Sequence, residues 1–385
     1  MKSYAVFYLL LSVISTAISW PVQGTYYIPP GATCQDYMVP VTTTSDNYPW
    51  VAPKWSDDYG FIDFVSVASS RTNDDIPSPI GAPVSQTANY TIGATFCTPN
   101  TAGANAGKVL LATHGLAFDR SYWNPSYKPE QYNFVQYAIN QGYSVFFYDR
   151  LGVGVSTKVS GFENQLNIQT SVLSSLIASL RLGHYTLLAS APTSITLVGH
   201  SFGSILTNSL VAAEPTAVDA AIMTGYGFLG SDDRLALQGF GPRVANLQSP
   251  KFSAFDAGYI TTRDVISNIN NFFKAPAYEH DVAAFSEATK QPFAVSELVS
   301  SAQPLLKINA TEFKGPAMVV SGEFDYIVCG GYCPNELGPS FNPLFTGAKN
   351  FETYVQPASG HGTNFATNAT GFYGVIFEYL GRNGI

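Results

Sequence analysis

An α/β fold with a mostly parallel central sheet flanked by helices is predicted by three observations. From Lys108 onward, short apolar runs alternate with helical patterns, the signature of a parallel sheet. Residues 195–204, ITLVGHSFGS, pass from an apolar strand into a helix through a very short turn of small residues. Between Gly225 and about Phe313 the alternation stops, and it resumes at Pro316. That break reads as a mainly helical insertion between the sixth and seventh strands of the sheet.

Residues 1–19 read as a signal peptide. Lys2 is the basic start, Phe7 to Val13 the apolar centre, and Ala17 and Ser19 the small residues before a cleavage site. The apolar stretch is too short to span a membrane, and no later run approaches the roughly 18 residues needed. Residues 20–105 are rich in Pro, Thr, Ser and aromatics without helical period, and read as an extended lead-in with antiparallel strands. The core comprises 106–225 and 314–385. Its expected strands are Lys108 to Thr113, Tyr143 to Tyr148, Ile195 to Val198, Ala217 to Thr224, Pro316 to Ser321 and Phe351 to Val355. Its expected helices are Glu130 to Gln141, Gln165 to Leu182, Ile205 to Ala213 and Ala369 to Leu380. Residues 226–313 are the insertion. Phe240, Phe272, Phe273 and Phe285 stand in it, a composition suited to a lid over an apolar pocket.

The turn at 199–203 is G-x-S-x-G, the pattern of a nucleophile elbow. Its backbone is so tight that only small side chains fit two residues before and after the serine. Gly199, Gly203 and Ser204 meet that demand. The strain holds Ser201 Oγ out of the sheet, at a helix N-terminus that favours negative charge. A serine hydroxyl needs a base, and the base needs an acid to orient it. On this architecture the chain order is serine, acid, histidine. Of the five histidines, only His280 and His361 follow Ser201. His361 lies in the small-residue loop Ser359-Gly360-His361-Gly362, after a strand, where the base belongs. His280 stands among charged residues and reads as solvated. Glu323 and Asp325 both follow the strand before it. Asp325, further along the loop, is the expected acid, and Glu323 a turn residue. The rival order His114, Asp149, Ser201 belongs to a two-barrel fold with no strand-to-helix elbow.

An oxyanion hole requires two N–H groups. One is expected from Phe202, directly after the nucleophile. The other is expected from Leu116, where Gly115 lets the chain bend after the strand Lys108 to Thr113. His114 reads as a structural or loop-orienting residue. Gly152-Val153-Gly154 followed by Thr157 misses the dinucleotide fingerprint and is a turn.

These pieces together resemble the α/β-hydrolase superfamily. They are His114-Gly115, the run Asp149 to Ser156, the GHSFG elbow, the Gly322 to Asp325 loop and the Gly360-His361-Gly362 loop. More narrowly, Tyr90 to Pro99 and His114 to Trp123 resemble patterns of secreted fungal serine hydrolases with a cysteine-bearing N-terminal extension. The resemblance covers roughly residues 85 to 380. It implies a serine esterase, lipase, lactonase or peptidase, and Ser201 separates the chain from members with an aspartate nucleophile.

The net charge of −8 argues against nucleic acid and anionic membranes as partners. Cys34, Cys97, Cys329 and Cys333 form an even set that suits an oxidising compartment. Of three possible pairings, Cys34–Cys97 and Cys329–Cys333 are favoured; a metal site is disfavoured by the lack of nearby histidines. Asn89, Asn309 and Asn368 head glycosylation sequons. Charged residues make up 12 % of the chain, about half the usual share, and sugars would add surface polarity. The expectation is therefore a secreted enzyme acting on a small or lipid-like ester, with no metal or organic cofactor. Peptide hydrolysis, lactone opening and acyl transfer use the same machinery. A ligand trap of the same fold is the non-catalytic rival.

Overall fold

A computed structural model describes residues 26–68, 77–227, 237, 239–302 and 308–385. The expected signal peptide lies outside the described residues, as do 228–236, 238 and 303–307 of the insertion. Eleven strands form two sheets among the described residues. They are β1 (Ala32–Asn47), β2 (Val84–Pro99), β3 (Lys108–Thr113), β4 (Ser144–Tyr148), β5 (Ser194–His200), β6 (Ala220–Thr224), β7 (Arg243–Val244), β8 (Tyr259–Thr261), β9 (Phe293–Ala294), β10 (Ala317–Gly322) and β11 (Phe351–Gln356).

The main sheet has eight strands in the order β1-β2-β4-β3-β5-β6-β10-β11. From β4 to β11 all neighbours are parallel. The central strands are buried on both faces, which is why KVLLA and ITLV read as continuous apolar runs. Alternate residues nevertheless face opposite layers. Leu110, Val145 and Val320 point to one core, Leu111, Phe146 and Val319 to the other. Helix Ala369–Arg382 covers the first core with Phe372, Tyr373, Ile376 and Leu380. Helix Leu166–Arg181 covers the second with Val172, Leu173, Leu176 and Leu180. Each such side chain contributes roughly 1.5–3 kcal/mol by leaving water.

The lead-in differs from its expectation in two respects. β1 and β2 form a long antiparallel hairpin that belongs to the main sheet, because β2 pairs with β4. Cys34 faces Cys97 directly in that hairpin, and the two are joined. The connection between the strands also carries a helix, Asp58–Ala68. Trp55 packs near it against Phe61, Phe64 and Phe162 with tilted and edge-on rings, and its indole N–H donates to Ala257 O at 2.7 Å. Asp58 accepts from the Val244 N–H at 2.9 Å. The lead-in is thus packed on the insertion.

The helix expected over 130–141 is two pieces, Pro129–Tyr132 and Phe134–Asn140. Asn133 breaks it: its backbone is extended and its side chain accepts from the Gln136 N–H at 2.7 Å. That local cap competes with a continuous helix. Between β6 and β10, four α-helices and a 3-10 helix accompany a small antiparallel sheet, β7-β8-β9, among the described residues. No helix there or elsewhere among the described residues is long and apolar enough to cross a membrane.

Candidate active site

All the candidate residues lie beyond the carboxyl ends of the parallel strands, where open α/β sheets place their clefts. β3 leads into His114 and Gly115, β4 into Asp149 and Arg150, and β5 into Ser201. β10 leads into Asp325 and β11 into His361.

Ser201 has φ 55° and ψ −119°, a conformation that non-glycine residues rarely adopt. It costs about 1–3 kcal/mol and persists only where the surroundings enforce it. Packing does so here. A Cβ on Gly199 would stand 2.4 Å from Gly203 O, and one on Gly203 would stand 2.1 Å from Thr113 O. The Ser201 N–H donates to Thr224 O at 2.8 Å, and helix Phe202–Ala213 begins at once. Ser201 and Leu116 are half-buried, whereas their neighbours are buried. A Cβ on Gly115 would lie 2.9 Å from Ser201 Cβ, so the β3 loop runs directly against the serine.

His361 is fully buried, and its Nδ1 lies 2.7 Å from Asp325 Oδ2. Among the described residues its Nε2 has no hydrogen-bond partner. The other oxygen of Asp325 accepts from the N–H groups of Ile327 and Val328, each at 3.0 Å. Asp325 therefore caps the short helix Tyr326–Cys329 and bonds the imidazole with the same carboxylate. Cys329 is joined to Cys333, closing that turn. Within the closed loop, the Gly331 N–H holds Asp325 O at 2.9 Å and the Cys333 N–H holds Glu323 O at 2.9 Å. Glu323 points elsewhere, accepting from the Ala358 N–H at 2.8 Å. His280 is exposed.

A bridge across four residues restrains the unfolded chain little. Its effect is expected to be local, on the aim of Asp325. The Cys329→Ser/Cys333→Ser variant should lose activity, because a shift of ~1 Å can cost on the order of 100-fold in rate. Its melting temperature should change little. Full kcat with a collapsed melting temperature would assign the bridge to stability alone.

Two further buried histidines were only partly legible. His200 precedes the serine, stacks on Tyr122 with ring centroids 4.5 Å apart, and lies 5.0 Å from His361. Thr224 Oγ1 donates to Gly199 O at 3.0 Å, so it accepts from His200 Nδ1 at 3.1 Å. His114 Nε2 accepts from the Arg150 N–H at 3.0 Å, which puts its proton on Nδ1, 2.8 Å from Gly115 O. Burial foremost, then neighbouring positive charge, holds both imidazoles below the usual histidine range. In the unfolded chain both take up a proton below about pH 6.5. The unfolded state then binds more protons, so stability falls as pH drops below that value. The slope is up to ~1.4 kcal/mol per pH unit for each histidine. Denaturant unfolding from pH 7 to pH 5 should show this loss, and His200→Asn should remove one proton from the slope. An unchanged slope in that variant would mean that His200 is not held neutral.

Aromatic side chains wall the site. Phe118 packs on Tyr122 at 4.7 Å and on Phe272 at 5.1 Å, and Phe272 lies 5.7 Å from His361. Phe272 comes from the insertion, so that segment reaches the imidazole. Among the described residues, no three His, Cys, Asp or Glu side chains are grouped to hold a metal ion. Asn89, Asn309 and Asn368 are exposed.

A strained serine between a parallel strand and a helix, with a buried His–Asp pair beyond two later strands, defines a hydrolase-type α/β protein. The sequence model of the alpha/beta hydrolase family matches residues 109–369, and the chain belongs to that family. No curated protein sequence matches the chain. Similar solved structures include a putative non-heme bromoperoxidase from Mycobacterium tuberculosis, with TM-score 0.52 and 14 % identity over 76 % of this chain and 96 % of that one. A carboxylesterase structure from the thaumarchaeon Nitrososphaera gargenis gives TM-score 0.52 and 14 % identity, covering 77 % and 96 %. An alpha/beta hydrolase fold protein from Chitinophaga pinensis gives TM-score 0.51 and 12 % identity, covering 76 % and 93 %. At these identities the likeness concerns the fold.

Proposed function

We propose that this chain is a secreted serine hydrolase that cleaves carboxylic esters with an apolar acyl or alcohol part. The observation that carries the reading is the buried Asp325–His361 pair at 2.7 Å, at the same end of the sheet as a serine held in a strained elbow. His361 Nε2 takes the proton of Ser201 as Oγ attacks the ester carbonyl. The N–H groups of Leu116 and Phe202 hold the oxyanion, and the start of helix Phe202–Ala213 adds its dipole. His361 then gives the proton to the leaving alcohol. Water, activated by the same imidazole, releases the acid from the acyl-enzyme. Asp325 keeps the Nδ1 proton in place and stabilises the imidazolium. Neutral His200 matters here, since a second positive charge 5.0 Å away would oppose that imidazolium.

The aromatic wall supports an apolar substrate, and the insertion that supplies Phe272 supports a water-excluding lid. Two disulfides support an oxidising compartment. A ligand trap has no need of a strained serine or a buried His–Asp pair. The test is hydrolysis of p-nitrophenyl esters of increasing chain length, beside amide, peptide and lactone substrates. Turnover of esters well above the others is expected. Peptide turnover without ester turnover would move the reading to a peptidase.

A further inference from the structure

The chain carries few charges, yet it buries a complete ion pair next to the site. Arg150 and Glu297 each have side chains only 1 % exposed. Arg150 follows β4 in the core, and Glu297 sits in helix Val295–Ser300 of the insertion. Arg150 Nη1 donates to Glu297 Oε1, and also to Gln169 Oε1 at 2.6 Å. Gln169 Nε2 donates to the same Glu297 oxygen at 2.6 Å, and Glu297 Oε2 accepts from the Ala294 N–H at 2.7 Å. The pair is thus tied on both sides.

The other end of Arg150 reaches the β3 loop. Nη2 donates to Gly115 O at 3.2 Å, and the guanidinium lies 4.7 Å over the Phe202 ring. His114, its tautomer set by the Arg150 main chain, donates to the same Gly115 oxygen at 2.8 Å. That carbonyl therefore accepts two hydrogen bonds. A trans peptide is planar, so its N–H points opposite to its C=O. Fixing Gly115 C=O fixes the direction of the Leu116 N–H. A second contact from the insertion holds the same loop two peptides further on, since the Gln291 N–H donates to Ala117 O at 3.0 Å.

We propose that Arg150, gripped by Glu297 of the insertion, is a positioning residue that aims the Leu116 N–H at the oxyanion. This rests on the serine-hydrolase reading above. Arg150 touches no reacting atom. It holds a peptide of the loop that runs against Ser201, and it polarises that peptide with a buried positive charge. Stability alone is a poor reason for the pair. Well-packed apolar residues in place of a buried ion pair are often as stable or more so, whereas removing one partner strands a charge.

That contrast sets the experiment. In Arg150→Met/Glu297→Met both charges go and the volume is kept. Its kcat for a p-nitrophenyl ester should fall about 10- to 100-fold at unchanged KM, since a donor misaimed by ~1 Å loses about that much. Its melting temperature should stay within a few degrees of wild type. Glu297→Gln keeps an acceptor for Arg150 with a weaker grip, and should lose kcat several-fold, again at unchanged KM. It decides the matter should the double variant not fold. Wild-type kcat in either folded variant, with wild-type activity abolished by Ser201→Ala, overturns the positioning role and leaves the hydrolase reading intact. A Ser201→Ala variant that keeps most of the wild-type kcat overturns the hydrolase reading itself.

Discussion

Ser201→Ala is expected to lower kcat by a factor on the order of 10⁴–10⁶, as removal of the nucleophile does in other serine triads. The fold should survive the change. The elbow is enforced by glycines packed on backbone, with Gly203 against Thr113 O, and by the Ser201 N–H on Thr224 O; neither uses the hydroxyl. Alanine still has to accept φ 55°, so the strain remains and the melting temperature should change little. Residual rate above water is expected, because the oxyanion donors persist. A variant that keeps most of its kcat would place the chemistry on another residue.

Asp325→Asn should reduce kcat by roughly 10⁴. An amide presents either oxygen or N–H₂ to His361 Nδ1. The two N–H groups of Ile327 and Val328 require an acceptor at the inner oxygen. The N–H₂ is then turned toward the imidazole, which forces the proton onto Nε2. Nε2 is the atom that must accept from Ser201, so the base is blocked. Glu323→Gln provides the comparison. Its bond from the Ala358 N–H survives with an amide oxygen, and the loss of kcat should be less than about tenfold. The reverse ranking of the two variants would make Glu323 the acid.

The core of this fold is legible because its strands are buried on both faces and therefore unbroken in apolar character. β3, β5 and β10 stand out for that reason, and their ends locate the candidate residues. The elbow is legible because backbone-on-backbone contact leaves no choice of side chain at Gly199 and Gly203. The two disulfides suit their partners' positions, one across a hairpin and one across a single turn. Other features left little trace. β7 and β9 are two residues long and β8 three, too short for any alternation to show. The helix Asp58–Ala68 sits among residues whose composition suggests loop and strand. Asn133 breaks a helix through one side-chain bond that competes with an otherwise helical pattern. The Arg150–Glu297 pair joins residues 147 positions apart, and only the folded chain brings them together. Its one trace is a charged residue two places beyond an apolar strand. The same position commonly marks an ordinary strand end.

The direct test of the active-site assignment is covalent. The full-length chain is incubated with a fluorophosphonate and then digested for mass spectrometry. One adduct per chain is expected, on the peptide containing Gly199-His200-Ser201-Phe202-Gly203 and localised to Ser201, with ester hydrolysis lost in step with labelling. An adduct on a different residue, or full labelling of the Ser201→Ala variant, would contradict the assignment of Ser201 as the nucleophile.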